Sequence, residues 1–205
     1  MFYEPKNGHT LRENPLNAIV IPRPIGWIST ISISGIPNLA PYSFFNAVAY
    51  EPPQVMFAST GNHRDGRFKD AVVDAQTTGE FVINIATARL SKKMNATAVP
   101  APPDIDEFEY AGLTKAPSSI VKCPRVAESP LHLECKYTYS HNILSKYDNK
   151  PNIVVFGEVV GIHIDDEVIV EGLIDVLKVN PIGRLGYLDF VEVNNKFSMK
   201  RPLWP

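Results

Sequence analysis

The run from Ile28 to Ser34 (ISTISIS) restricts the fold more than any other part of the chain. It sets β-branched and apolar side chains against hydroxyls at a strand's period, so a strand over Ile25 to Ser34 would bury one face and present Ser and Thr on the other. Other segments read the same way. Ala18 to Ile21, Phe81 to Ile85 and Gln54 to Ser59 are short apolar runs. Leu131, Leu133, Cys135, Tyr137 and Tyr139 alternate with polar residues, and Ile153 to Ile164 is nearly continuous in Val and Ile. A proline pair cannot sit inside a central ladder, so Pro52-Pro53 marks a corner between the strand-like Tyr42 to Tyr50 and the strand that resumes at Gln54. Gly35-Ile36-Pro37-Asn38 reads as a turn, and Asp165-Asp166-Glu167 as an exposed one.

Helical periodicity occurs in two places. Phe68, Ala71, Val72 and Ala75 follow i, i+3, i+4, i+7 and predict an amphipathic helix ending near Gly79. Ala88 to Ala98 predicts a second. Residues 98 to 117 read as a Pro- and acid-rich loop, with Asp104, Asp106, Glu107 and Glu109 lacking the spacing of a calcium loop. The segment from Val179 (VNPIGRLGYLDFVEV) reads as loop followed by a short strand. The tally is six or seven strands with two inserted helices and no βαβ alternation. That predicts a mainly β protein, built as an antiparallel barrel.

The chain has 205 residues, 44% hydrophobic and 20% charged, which suits one domain spanning 1–205. Its net charge is -2 with no basic block, so a nucleic-acid partner is not expected. No apolar run approaches the roughly 18 residues of a membrane span, and the N-terminus lacks a signal-peptide core. Cys123 and Cys135 are too few and too far apart for a metal or redox motif, so reduced thiols and a cytoplasmic location are expected. The five histidines are scattered, and no metal site is expected. Phosphate-loop, zinc-protease and serine-hydrolase signatures are missing.

Two stretches carry chemistry. Arg23 to Thr60 mixes Ser29, Thr30, Ser43 and Asn46 with Trp27, Phe44 and Phe45. Hydroxyls on solvent-facing strand positions are ordinary, yet this mixture also suits a pocket for a flat, polar-edged ring such as an isoalloxazine. Ser59 to Asp70 joins a strand to a helix start and brings Ser59, Thr60, Arg64 and Lys69 beside unsatisfied N–H groups. That is either a phosphate cradle or a solvated loop whose Asp70 caps the helix. His141, at the end of a strand, is either structural or a substrate-side group able to donate a proton or hold a nicotinamide.

RPIGWIST, NLAPYSFFN, the Glu51-Pro52-Pro53 corner, Lys69-Asp70 and TGEFVINI, followed by DEFEYAGLT, PRVAESPLHLEC and GRLGYLDF, resemble in order the flavin reductase-like family. The resemblance covers nearly the whole chain. It implies a six-stranded antiparallel split β-barrel that dimerises, with non-covalent FMN near the subunit interface. Carried over, Trp27, Ser29 and Thr30 lie along the flavin, and Ser43, Phe44, Phe45 and Asn46 contact its ring and ribityl chain. Ser59, Thr60, Lys69 and Asp70 take the phosphate side, and Arg184 of GRLGY contacts the cofactor from its own or the second subunit. Many relatives have Thr after Lys-Asp. Here it is Ala71, so Arg64 or backbone N–H groups would replace that hydroxyl. The implied function is an oxidoreductase passing electrons from NAD(P)H through FMN to a small-molecule or protein acceptor. The alternative is a non-catalytic flavin carrier or sensor.

Overall fold

A computed structural model describes residues 1–63, 66–146 and 152–204. Seven strands form one antiparallel sheet: β1 (Gly26–Ile31), β2 (Pro37–Tyr42), β3 (Phe45–Tyr50), β4 (Pro53–Thr60), β5 (Glu80–Ile85), β6 (Leu131–Ile143) and β7 (Asn152–Ile164). Their order is β2-β1-β5-β6-β7-β4-β3. The sheet curls until its two ends meet. The ring of Tyr42, at the end of edge strand β2, lies 5.1 Å from that of Phe57 on β4, next to the opposite edge. The result is the expected antiparallel split barrel.

Its interior is the apolar face of every strand. Ile28, Val55, Phe57, Phe81, Ile83, Cys135 and Val155 are buried together, and helix α2 (Asp70–Thr78) seats Ala71, Val72 and Ala75 on them. Gly79 ends α2 in the left-handed region (φ 76°), where a Cβ would be strained. Gly157 has a different reason to lack a side chain: a Cβ there would stand 2.5 Å from Cζ of Phe81, whose ring fills that space. The register of β7 on β6 slips at this point, between Phe156 and Gly157.

A second apolar cluster covers the other face of β1. Trp27 and Leu39 pack there with Met94 of α3 (Ser91–Ala96), Phe108 of α4 (Glu107–Tyr110), Leu113 and Val126. β1 is therefore enclosed on both sides, and its hydroxyls are interior. The Ser29 hydroxyl donates to the Pro124 carbonyl at 2.6 Å, and that of Thr30 to Asp74 at 2.8 Å. Beyond the barrel, Glu134 is fully buried and accepts from the backbone N–H groups of Ser119, Ile120 and Val121 and from His163. Burial alone would raise its pKa, but these donors together bring it down to about 2.

Several sequence expectations need correction. The main sheet has seven strands, not six. Pro37 and Pro41 disguised β2, which tolerates them because it is an edge strand. The turn before it falls earlier than predicted, closed by the Ser32 N–H donating to the Ile36 carbonyl, so Pro37 and Asn38 are already extended. Ala18 to Ile21 is not a strand. Leu16–Ile19 is a helical turn, α1, started by Asn14 Oδ1 accepting from the Leu16 N–H. Phe68, the first residue of the predicted helix pattern, lies before the observed helix, which starts at Asp70, and is half exposed. The loop over 98 to 117 contains α4, and a further helix, α5 (Val176–Val179), precedes the final segment. That segment supplies two short strands, Ile182–Arg184 and Phe190–Glu192, which form a three-stranded ribbon with Arg23–Pro24.

Candidate functional site

A cleft of about 560 Å³ opens where the barrel end, α3 and this ribbon meet. Its walls come from distant parts of the chain. β2 ends in Pro41 and Tyr42, and the tight connection to β3 adds Ser43 and Phe44. β4 contributes Ala58, Ser59 and Thr60, and the residue before α2 is Lys69. α3 presents Met94 and Asn95, and the ribbon supplies Arg184, Tyr187 and Phe190. Glu13, Asn14 and Asn17 of the N-terminal segment close the remaining side.

Arg23 joins these walls. The residue is buried (7% exposed), and its guanidinium donates to the carbonyls of Asn17 at 2.6 Å, Val20 at 2.7 Å and Leu185 at 3.0 Å, with a longer contact to the Ser43 hydroxyl. It also stands over the Phe44 ring at 5.7 Å. One side chain thus links α1, the turn between the two ribbon strands and the β2–β3 connection. Burial and the nearby positive charge of Arg184 both lower its pKa. Arg184 lies 4.4 Å over the Phe190 ring and donates to the Tyr187 carbonyl.

The charge balance of the cleft is one-sided. Arg23, Lys69 and Arg184 face it, and among the described residues none of the three is within salt-bridge distance of a carboxylate. Glu13 is the single acidic lining residue, and it is exposed. Cations gathered without a counter-ion are costly unless an anion binds among them. Lys69 also precedes the free N–H groups of a nine-residue helix, beside the hydroxyls of Ser59 and Thr60.

The structure brings together Ser43, Phe44, Ser59, Thr60, Lys69 and Arg184 from the predicted set. The other predicted residues lie elsewhere. Trp27, Ser29 and Thr30 are fully buried, and the Trp27 ring donates to the Thr97 hydroxyl at 2.9 Å. The hydroxyls of a strand covered on both faces turn inward, so these three are taken up by the core. Phe45 packs against the barrel interior and lies close over Gly26, while Asn46 is exposed and accepts from its neighbour's N–H. Asp70 is paired with Arg67 and His63 and lines an adjoining cavity of about 120 Å³ with Glu107. His141 is exposed on β6 and does not line the cleft. Arg64 lies outside the described residues.

Sequence reasoning missed Arg23 as a binding-wall residue, together with Asn17, Met94, Asn95, Tyr187 and Phe190. Arg23 and Tyr187 sit inside motifs already noted, RPIGW and GRLGY. Met94, Asn95 and Ala98 follow i, i+1, i+4, a spacing that places them on one side of a helical segment.

A curled barrel whose open end holds an aromatic and cationic cleft defines a class of small-ligand-binding split-barrel proteins. The model of the flavin reductase-like domain matches residues 18–177, and the chain belongs to that family. A protein of Aquifex aeolicus is 42% identical over 196 residues, covering 95% of each chain. Among solved structures, nitrilotriacetate monooxygenase component B from Bacillus cereus superposes with a TM-score of 0.88 at 29% identity, covering 97% of this chain and 98% of that one. The 2-nitrobenzoate 2-nitroreductase of Pseudomonas fluorescens gives 0.76 at 28%, covering 91% and 88%.

Proposed function

We propose that the protein is an FMN-dependent oxidoreductase that accepts electrons from NAD(P)H and passes them to a small-molecule or protein acceptor. The observation that carries this is the uncompensated cation set in a cleft that is also lined by aromatic rings and hydroxyls. The volume falls in the range of cofactor sites, roughly 300 to 1,000 Å³. The donor set fits a flavin mononucleotide. Lys69, the N–H groups at the start of α2, Ser59 and Thr60 would hold a phosphate, while Phe44, Ser43 and the Asn95 amide offer a flat face and polar edge groups. Bound flavin would supply the hydride and electron-transfer chemistry, so the chain needs no acid–base pair of its own. Its residues would orient the ring, neutralise the phosphate and limit water at the cleft. Likeness to a monooxygenase component and a nitroreductase supports a reductive role.

We also propose a cytoplasmic homodimer. β7 carries mostly apolar side chains on both faces, interrupted by Glu158 on the outer one and by His163, yet within one protomer alternate residues from Val154 to Ile164 remain partly or largely exposed. On this outer face the Tyr139 and Phe156 rings stack at 4.5 Å. Ala58, on adjacent β4, continues the face into the cleft. A second copy on this surface would cover it and narrow the site. No helix among the described residues is long and apolar enough to cross a membrane.

The test is anaerobic addition of NADH and NADPH to FMN-loaded protein. Fast loss of the oxidised flavin band is expected with at least one of them. Bound flavin that stays oxidised would indicate a carrier or sensor, and protein that binds no flavin would end the proposal.

A further inference from the structure

The turn Leu185 to Asp189 carries a local conflict. It is closed by two backbone bonds, Leu185 N–H to the Asp189 carbonyl and Asp189 N–H to the Gly186 carbonyl, both 3.0 Å. Tyr187 within it has φ 57°, a left-handed conformation that Gly or Asn adopts readily and a bulky side chain rarely does. The turn cannot relax easily, because separate elements hold it. Arg23 binds the Leu185 carbonyl and Arg184 the Tyr187 carbonyl. A Cβ at Gly186 would stand 2.6 Å from that of Ala18, so α1 abuts the turn directly.

Nothing inside the protomer repays a tyrosine here. The residue is 49% exposed and joins no core cluster, and its hydroxyl has no hydrogen-bond partner among the described residues. Leu188, next to it, is 85% exposed. A turn built only to reverse the chain would be served better by Gly or Asn. What distinguishes the position is that Tyr187 lines the cleft beside Arg184, on a turn anchored by Arg23. Unfavourable backbone held in place by its surroundings is found disproportionately where a ligand is gripped.

We infer that Tyr187 is a ligand-contacting residue whose fixed turn holds its ring against the planar heteroaromatic ring bound in the cleft. This rests on the flavin proposal above and adds a contact to it: the aromatic face at 187, not the phenol hydroxyl, stabilises the bound ring and limits its tilt. The contact should be sensitive to flatness and tolerant of losing the hydroxyl.

The experiment measures FMN dissociation constants, the visible band of bound FMN and the melting temperature of flavin-free protein for wild type, Tyr187→Phe, Tyr187→Leu and Tyr187→Asn. Tyr187→Phe should bind within about twofold of wild type, while Tyr187→Leu and Tyr187→Asn should bind about tenfold more weakly, the effect of removing one stacking face. The band of bound FMN should shift in those two variants. Flavin-free Tyr187→Asn should melt no lower than wild type, because Asn accepts the left-handed backbone. Leu and Asn variants that bind as wild type does, or a Tyr187→Asn melting temperature that falls in step with affinity, would overturn the inference while leaving the flavin proposal intact. Should Tyr187→Asn fail to fold, the comparison of Leu with Phe decides. A wild type that binds no flavin overturns both.

Discussion

Replacing Arg23 with methionine tests how the cleft is held together. Methionine keeps much of the unbranched stem and removes every donor. Three short bonds disappear, to the carbonyls of Asn17, Val20 and Leu185. Hydrogen bonds from a charged donor contribute roughly 1.5–3 kcal/mol each, so the gross loss is about 4.5–9 kcal/mol. Two effects reduce it. The freed carbonyls border an open cleft and regain water, and a buried cation that lacks a carboxylate no longer has to be desolvated. A net destabilisation of about 2–4 kcal/mol remains, which at about 2–4 °C per kcal/mol for a chain of this size lowers Tm by about 4–16 °C. Differential scanning calorimetry of flavin-free protein measures this, and limited proteolysis should show new cleavage near 185–189. Arg23→Lys, with a single ammonium that cannot span three carbonyls, should fall between. An Arg23→Met Tm within about 2 °C of wild type, with the turn still protected, would refute the linking role.

Further outcomes follow from other contacts. Gly157→Ala places a methyl 2.5 Å from the Phe81 ring and should cost about 1–3 kcal/mol, read as a lower Tm with cleft chemistry unchanged. Thr30→Val breaks the buried bond to Asp74 and should lower Tm while leaving FMN affinity within about twofold; a large affinity loss with an unchanged Tm would return Thr30 to the binding site. Burial pushes Glu107 up to about 7 and Asp74 up to about 6. Both bind protons more tightly folded than unfolded, so the stability linked to them is complete below pH of about 4 and is lost as pH rises through 6 and 7. Glu134, held down at about 2, works in the opposite direction, its contribution disappearing as pH falls from the ordinary carboxylate range toward 2. Thermal melts against pH should therefore be highest in the mildly acidic range, and Glu107→Gln should flatten the decline on the alkaline side.

The barrel was legible in the sequence because period-two runs such as Leu131 to Tyr139 report directly on a half-buried sheet. β2 was not, since Pro37 and Pro41 carry turn chemistry that only an edge position permits. α1 was hidden for another reason. Its four residues read as apolar strand, and what favours the helical turn is Asn14 Oδ1 accepting from the Leu16 N–H and a guanidinium arriving from residue 23. The candidate site was half legible. Lys69 beside a helix start and the hydroxyls of Ser59 and Thr60 follow from local pattern, and so does the Ser43–Phe44 connection. Ser29 and Thr30 misled because one-dimensional alternation cannot reveal that β1 is covered on both faces, with the Ser29 hydroxyl taken up by the Pro124 carbonyl on one side and that of Thr30 by Asp74 of α2 on the other. Tyr187 and Phe190 lie well over a hundred residues from Ser43, and only the pairing of Ile182–Arg184 with Arg23–Pro24 brings that wall to the cleft.

The most direct measurement compares FMN with riboflavin, titrated into the same flavin-free protein at low and high salt. The two ligands share the ring and ribityl chain and differ in the phosphate. If Lys69, the start of α2 and the two guanidiniums make this an anion-holding flavin cleft, FMN should bind at least about tenfold more tightly, and the advantage should shrink as salt screens the cations. Equal affinities that do not change with salt would contradict it.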